Sequence, residues 1–386
     1  MKWWRMNNIV SFTEGLAFSG EALKKARLLR GKSMDELSKQ LNISQQMISK
    51  YEKGDSVPTL DVLNRLGTLL GFPVAYFYTK QKISDVSEGF YRKGSSVSKK
   101  AKHTVVEKVS FFSSILDEIA QIVKLPQYRD PIPIKRTSDF QEISHEYLEK
   151  VASGLRKKFS FGDGPLLNIT GFLESLGIFI IFTNLESEKI DAYTIFEELK
   201  RPIIIINNQR ISSCRIRFNL AHEFAHILFH REYIKKYENG IKYSRIEAEA
   251  NYFSGCFLVP EKGLLEDMSS VSLQHFVVLK EHWHVSVAAL IYRANQCGFI
   301  SETHTLHLRQ QLSRNKWRVN EPLDDLIKIE YPQMIEQALE IYSNNMKINA
   351  IEALSSKLKL FPEFIVELIF SKKETNKYNS FDLKLI

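Results

Sequence analysis

The sequence predicts a multidomain protein with an all-α N-terminal part, an α+β middle and a mostly helical C-terminal region. Its 386 residues exceed the usual size of one hydrophobic core, so two or three domains are expected. Apolar residues recur at helical spacing from Glu21 to about Leu70. Two short β-branched runs, Ile178 to Phe182 and Ile203 to Ile206, then read as largely buried strands.

Composition and charge narrow the class of protein. With 44% hydrophobic and 25% charged residues the chain is an ordinary globular protein, which excludes wholesale disorder. A net charge of +8 favours approach to polyanions but does not by itself establish a nucleic-acid ligand. Neither a signal-peptide segment nor an apolar stretch of about 18 residues is found, so we expect a cytoplasmic protein with no membrane partner.

The cysteines and the linker-like segments set the expected domain boundaries. Cys214, Cys256 and Cys297 lie far apart without CxxC spacing, so neither a disulfide framework nor a thiolate zinc site is indicated. A polar, basic stretch near residues 80–106 indicates a linker. We expect an N-terminal helical domain at residues 15–80 and a linker with a helical connection at 81–138. A second domain is expected at 139–265, followed by a helical C-terminal region of partner or sensing role at 266–386.

The first domain has the pattern of a DNA-binding helix pair. Ser33 and Glu36 form a predicted capping box at the start of one helix, and the next helix runs from Gln45 to Lys53. Because Ile48 and Tyr51 can pack inward, the outer face of that helix carries Gln45, Gln46, Ser49 and Lys50. Glutamine pairs with adenine in the major groove, and serine and lysine contact phosphates or bases, so these four are the predicted DNA-binding residues.

Residues 33–71, SMDELSKQLNISQQMISKYEKGDSVPTLDVLNRLGTLLG, resemble the XRE family of phage-repressor-type helix-turn-helix domains. The resemblance implies double-stranded DNA as a partner. Met34 stands where the family often has glutamine, which removes one polar DNA contact. Nearby cations agree with phosphate attachment: Lys24, Lys25, Arg27, Arg30, Lys50 and Lys53. The alternative is a small helical interaction domain whose charged faces are only solvated.

A zinc-binding pattern, HExxH, lies in an apolar helical segment of the second domain. His222 and His226 are one helical turn apart on the same face, so both imidazoles can reach one ion. Zinc also needs a third protein ligand and an open position for water. Glu223 can take the proton of that water and later protonate the leaving amine. These residues therefore predict the chemistry of peptide hydrolysis.

The run IEAEANYF supplies the candidates for the third ligand. Either Glu247 or Glu249 could turn toward the histidines, and we favour Glu247 because it shares a helix face with Asn251. Asn251 could then hydrogen-bond a zinc-bound histidine, whereas Glu249 diverges from it by about 160° around the helix. The predicted zinc site comprises His222, His226 and Glu247.

The runs RIRFNLAHEFAHILFH and IEAEANYFSGCFLVP together resemble the ImmA/IrrE family of metallopeptidases, over roughly residues 140–265. The resemblance implies a zincin-like α+β domain, zinc bound by the three residues just named, and Glu223 as the catalytic base. It also implies a substrate extended beside an edge strand, for which Arg201 to Asn207 is the candidate. Ser254 replaces the usual alanine, a departure that should not affect metal binding.

Four further features bear on the site less directly. His230 lies about 12 Å along the helix and about 80° around it from His222, too far to share the ion, so we expect it to pack or make polar contacts. The absent HExxHxxGxxH extension argues against a metzincin. Tyr193 could assist an oxyanion, although a packed strand aromatic is the favoured interpretation. Residues 279–301 resemble a segment that follows the family's protease motifs and could complete the substrate groove or sense a ligand.

The leading hypothesis is a DNA-binding transcriptional regulator with zinc-dependent endopeptidase activity. Its expected substrate is a repressor or another regulatory protein of a mobile element or stress response. Two alternatives stay open: a non-catalytic transcription factor or antitoxin whose zincin-like domain binds a partner, and a metal-dependent hydrolase acting on something other than a peptide. An intact Glu223 argues against the first, since a structural zinc site needs no base. Formation of a homodimer is left open.

Overall fold

The protein is described here from a computed structural model, covering residues 17–78, 90–91, 99–185, 191–197, 201–207, 212–237 and 240–370. The N-terminal part is all-α. Its four helices are α1 Gly20–Leu29, α2 Met34–Leu41, α3 Gln45–Lys53 and α4 Leu60–Leu70, and a short 3-10 helix follows at Val74–Tyr78. These helices bury a shared apolar face that includes Leu23, Leu37, Ile48 and Leu66.

Local sequence signals account for the ends of these helices. The side chains of Ser19, Ser33, Ser44 and Thr59 each accept a hydrogen bond from a backbone N–H in the first turn of their helix. Between α2 and α3 the chain reverses at Asn42, whose φ of 56° is one that asparagine tolerates better than most residues. The helix-turn-helix geometry is therefore fixed largely by short-range capping.

Replacing Ser33 by alanine is expected to lower the free energy of unfolding by about 1 kcal/mol, because α2 loses its capping box. Hydrogen bonds from the backbone and side chain of Ser33, together with Lys100, lower the pKa of Glu36 to about 2 from its ordinary value of 4.5. The part of the capping box that the Glu36 carboxylate contributes is therefore complete above about pH 4.5 and is lost as the pH falls toward 2. Chemical denaturation at pH 7 of Ser33→Ala and of a control, the exposed loop variant Ser269→Ala, measures the capping loss, and denaturation of Glu36→Gln at pH 7 and pH 3 measures the pH-dependent part. An equal loss in Glu36→Gln at both pH values would contradict the pH dependence.

The middle of the chain contains a four-stranded mixed sheet in the order β1-β3-β4-β2. Its strands are β1 Phe90–Tyr91, β2 Phe179–Thr183, β3 Ala192–Glu197 and β4 Arg201–Asn207. Strand β4 pairs in parallel with β2 and antiparallel with β3, while β1 pairs antiparallel with β3 at Tyr193 and Thr194. Prediction of Arg201–Asn207 as an edge strand is therefore wrong: β4 is hydrogen-bonded on both sides, and local sequence does not encode the order of strands.

Alternate residues of the strands enter two different hydrophobic cores. Ile180, Ile204 and Ile206 face the core that contains the HExxH helix, whereas Ile181 and Ile205 face the core shared with the N-terminal helices. Burial of both faces explains why β4 is a continuous apolar run rather than an alternating one.

Three helices lie between β1 and β2 along the chain: α5 Lys99–Ala120, α6 His145–Lys158 and α7 Ile169–Ser175. Helix α8, Ser213–Ala225, continues into a wide π-helical turn at His226–His230, and α9 follows at Gly240–Leu258. The C-terminal region is helical, with α10 Glu261–Asp267, α11 Leu273–Trp283, α12 Val287–Gln296, α13 Glu302–Arg314, α14 Met334–Met346, α15 Ala350–Leu358 and α16 Pro362–Ile369. The predicted fold class is confirmed.

The C-terminal helices pack in two places. Helices α11 and α12 share a core with α8 and α9 through residues such as Trp283 and Leu290. Helices α14 to α16 instead join the core of the N-terminal helices. None of the described helices is both long enough and apolar enough to cross a membrane.

Candidate metal centre and nucleic-acid interface

Helices α8 and α9 pack against one another and bring the predicted metal ligands together. His222 projects from α8 and His226 from the π-helical turn that continues it, and both are fully buried, while the Glu247 side chain on α9 is 13% exposed. His222 Nε2 lies 3.0 Å from His226 Nε2. Glu247 Oε2 lies 3.6 Å from His222 Nε2, and Glu247 Oε1 lies 3.4 Å from His226 Nε2. Donor atoms of three side chains therefore converge from two helical segments packed together.

The dimensions and chemistry of this cluster fit zinc. Tetrahedral bonds of about 2.0–2.1 Å separate two ligand atoms by about 3.3 Å, which lies within the spread of the three distances. Glu247 Oε1 is buried and makes no hydrogen bond within the described part of the chain, as expected for an oxygen directed at a cation. Two imidazoles and a carboxylate are also a common donor set of catalytic zinc sites.

Burial and charge favour the metal-binding protonation states. Burial alone would raise the pKa of Glu247, but the two neighbouring histidines outweigh it and hold that pKa well below its ordinary value. Burial lowers the pKa of His226, with partial compensation by Glu247. A carboxylate and a neutral imidazole are the forms that donate electron pairs to a cation.

Glu223, the predicted base, points toward the sheet beside the cluster. It is 1% exposed, and the hydroxyl of Thr194 on β3 donates a hydrogen bond of 2.5 Å to its Oε2. Thr194 is not among the residues predicted from the sequence, in which its neighbour Tyr193 was considered for an oxyanion role. Because side chains alternate along a strand, Tyr193 lies on the opposite face of the sheet, in the core with Ile181 and Ile205. The strand-aromatic interpretation of Tyr193 agrees with this placement.

Polar groups lie behind both histidines. Asn251 Oδ1 is 3.0 Å from His222 Nδ1, the ring nitrogen that faces away from Glu247. His230 Nδ1 is 2.9 Å from His226 Nδ1, and His230 Nε2 is 3.1 Å from Glu249 Oε2. His230 thus has the polar role expected of it, but sequence reasoning missed its partner Glu249. The signal available was the spacing of the two glutamates, two residues apart, which directs them to different neighbours.

The predicted DNA-contacting residues lie on an accessible face of α3. Gln45, Gln46 and Lys50 are exposed and Ser49 is half-buried, while Ile48 is fully buried. These side chains are therefore available to a groove of duplex DNA.

Two cations that sequence reasoning assigned to phosphate attachment have structural roles instead. Arg27 is 6% exposed and donates to both carboxylate oxygens of Glu52, at 2.5 and 2.9 Å. Arg30 donates to the carbonyl of Leu70 at 2.7 Å, and its guanidinium lies over the ring of Phe364. The expectation for these two residues is wrong, because charge pattern alone does not distinguish a solvated arginine from one that packs against another helix.

Family models match both the helical N-terminal part and the part of the chain that contains the metal cluster. Residues 23–77 match the family model described as helix-turn-helix, and residues 173–295 match the peptidase M78 model described as IrrE N-terminal-like domain. No curated protein matches the chain. A crystal structure of Bacillus thuringiensis PlcR in complex with the peptide PapR7 and DNA covers 95% of this chain and 99% of that chain, at 13% identity and a TM-score of 0.18. A TM-score this low supports no conclusion about this chain. The two family matches show that the chain joins an XRE-type helix-turn-helix segment to an IrrE/ImmA-like segment.

Proposed function

We propose that the protein is a DNA-binding regulator with zinc-dependent endopeptidase activity. The observation that carries the proposal is the convergence of His222, His226 and Glu247, with Glu223 adjacent to His222 on α8. Zinc sites with three protein ligands are typically catalytic, because they keep a position open for water, whereas structural sites are closed by four ligands. Glu223 adjoins the ligand His222 in the chain and is 1% exposed, so its carboxylate would serve as the general base for such a water.

In this mechanism His222, His226 and Glu247 hold the zinc, which when bound would acidify water and polarise a carbonyl. The carboxylate of Glu223 accepts a proton from the attacking water and passes it to the nitrogen of the leaving amine. The Thr194 hydroxyl, which donates to Glu223 Oε2, holds that carboxylate against β3 and leaves Oε1 for the proton. Because Glu223 is only 1% exposed, bulk water does not reach the base.

We further propose that the substrate peptide lies along β3 rather than β4. An extended peptide can add to a strand edge through backbone hydrogen bonds, and β3 carries Thr194, which contacts Glu223. Within the described chain, β1 pairs with β3 only opposite Tyr193 and Thr194. A peptide on this edge would therefore pass beside the base, replacing or extending the pairing made by β1.

The domain division is also proposed. We propose that the N-terminal domain includes the 3-10 helix at Val74–Tyr78, which lies close to the expected boundary at residue 80. Because Trp283 and Leu290 share a core with α8 and α9, we propose that the metal-binding domain continues past residue 265 to the end of α12. The family match to residue 295 supports this extension.

The activity is tested by offering protein substrates to the purified chain. The zinc-loaded protein, and the same protein treated with a chelator, are incubated with regulatory proteins encoded beside its gene, and the products are identified by mass spectrometry. We expect one discrete cleavage that the chelator abolishes and that zinc restores. Unchanged substrates in every reaction, with zinc bound, would favour a non-catalytic domain that binds a partner.

DNA binding is predicted to depend on the outer face of α3. Replacing Gln45 or Gln46 by alanine should weaken binding to the preferred duplex by about 1–3 kcal/mol and relax preference at one base position, because a base-reading contact is lost. If Lys50 contacts phosphate, Lys50→Ala should weaken binding to all sequences. It should also reduce the slope of log binding constant against log salt concentration by about 1. The probe is a duplex selected by the parent protein from a random library. Lys157→Ala, which removes an exposed charge on α6, is the control. Parent-like binding and base preference in a Gln45→Ala/Gln46→Ala variant would contradict this placement.

A further inference from the structure

A continuous row of buried polar side chains leads away from the metal cluster, from His226 through His230 to Glu249, and the proposed mechanism uses neither of the last two. His226 Nδ1 contacts His230 Nδ1 at 2.9 Å, and His230 Nε2 contacts Glu249 Oε2 at 3.1 Å. The other oxygen of Glu249 accepts a hydrogen bond of 2.9 Å from the backbone N–H of Ile143. His226 and His230 are 0% exposed and Glu249 is 4% exposed, so water does not replace these contacts.

The order of donors and acceptors in this row follows from elementary chemistry. A neutral imidazole carries one N–H, and a nitrogen that binds a metal must offer its lone pair. His226 faces His222 and Glu247 with Nε2, so its proton belongs on Nδ1. His226 Nδ1–H then donates to His230 Nδ1, which must be unprotonated. The single proton of His230 therefore lies on Nε2 and is donated to Glu249.

We propose that His230 and Glu249 are positioning residues that hold His226 in the tautomer and ring orientation that bind zinc. The inference rests on the proposed metal site. His230 then supports His226 in the way that Asn251 supports His222, because Asn251 Oδ1 lies 3.0 Å from His222 Nδ1. Each metal-binding imidazole thus donates its outer N–H to a polar partner. His222 donates to Asn251 on α9, whereas His226 donates to His230 in its own π-helical turn, and His230 in turn donates to Glu249 on α9.

The same geometry separates the two glutamates of α9 by function. Glu247 contributes its carboxylate to the metal cluster, whereas Glu249 lies on the far side of His230 and reaches Ile143 on the segment that precedes α6. The same contacts exclude His230 as a metal ligand. One of its ring nitrogens faces the outer nitrogen of His226, and the other faces Glu249. Loss of such outer partners typically weakens metal binding about 10- to 100-fold.

The test measures zinc affinity by competition with a chelator of known affinity, in the full-length protein. His230→Phe keeps an aromatic ring but removes both hydrogen bonds, and we expect its zinc Kd to rise about 10- to 100-fold. His230→Asn places an amide oxygen close to the position of Nδ1, so it should recover part of this loss. Glu249→Gln keeps a hydrogen-bond acceptor but loses the negative charge, so its zinc affinity should fall less than that of His230→Phe. Phe229→Leu, a packing change in the same turn, is the control and should keep the parent's zinc affinity.

A spectroscopic readout separates positioning from packing. In the cobalt-substituted protein, His230→Phe should alter the visible absorption bands, because the orientation and basicity of His226 change, whereas Phe229→Leu should leave them unchanged. Parent-like zinc affinity and cobalt spectra in a folded His230→Phe variant would overturn the proposal, as would a folded His230→Asn variant that binds zinc no better than His230→Phe. A parent protein that binds zinc without cleaving peptides leaves this test intact and counts against the peptidase activity, whereas a parent that binds no zinc overturns both.

Discussion

Glu223→Gln is expected to reduce peptide cleavage by at least about 100-fold while zinc content, fold and DNA affinity stay those of the parent. The reason is that Glu223 lies beside the metal cluster without belonging to it: its Oε2 accepts a hydrogen bond from Thr194, and the group of potential ligands is His222, His226 and Glu247. Glutamine has nearly the same shape, and its amide oxygen can still accept from Thr194. It cannot, however, take up a proton from water. Cleavage rates, metal content and DNA affinity measured on the same preparations check this expectation.

Glu232→Gln supplies the matched control for this variant. Glu232 is an exposed glutamate just beyond the same helix, so its replacement makes the same chemical change away from the metal cluster. We expect parent-like cleavage from it. Equal cleavage of a confirmed substrate by Glu223→Gln and the parent would show that the proposed mechanism is wrong. A domain that binds a partner, or a hydrolase with a different base, would then have to be considered.

Removal of a metal ligand is expected to abolish zinc binding and cleavage together. His226→Ala should lose nearly all zinc, and Glu247→Ala should lose most of it, because each removes one of three converging donors. Zinc that binds only the folded state stabilises it by about 2.7 kcal/mol when free zinc is 100 times Kd. Adding a chelator should therefore lower the unfolding temperature of the parent but leave that of His226→Ala unchanged. Metal analysis and thermal unfolding with and without the chelator measure both effects.

The comparison of the two glutamates makes this prediction specific. Glu247→Ala should lose its zinc at protein concentrations where Glu249→Gln, weakened only through His230, still binds the metal. If Glu247→Ala kept a full equivalent of zinc while Glu249→Gln lost it, the third ligand would move by two residues. A chelator-sensitive unfolding temperature in His226→Ala would show that zinc binds elsewhere in the chain.

Those features that depend on short stretches of chain were determined by the sequence itself. Ser33 and Glu36 predicted a capping box because both partners lie within one helical turn, and the structure contains it. The spacing of His222 and His226 placed both rings on one helix face for the same reason, since a helix repeats every 3.6 residues. The buried strands near Ile180 and Ile204 were also recognised, because continuous β-branched runs are typical of sheets covered on both faces.

The tertiary structure alone decided how distant segments meet. Strand β4 lies inside the sheet rather than at its edge, and Arg27 pairs with Glu52 instead of facing solvent. The partners of Glu223 and His230, which are Thr194 and Glu249, come from a strand and a helix far away in the chain. Periodicity reports which face of an element is buried, but not which other element covers it. That choice depends on burying apolar surface and satisfying buried polar groups across the whole chain at once.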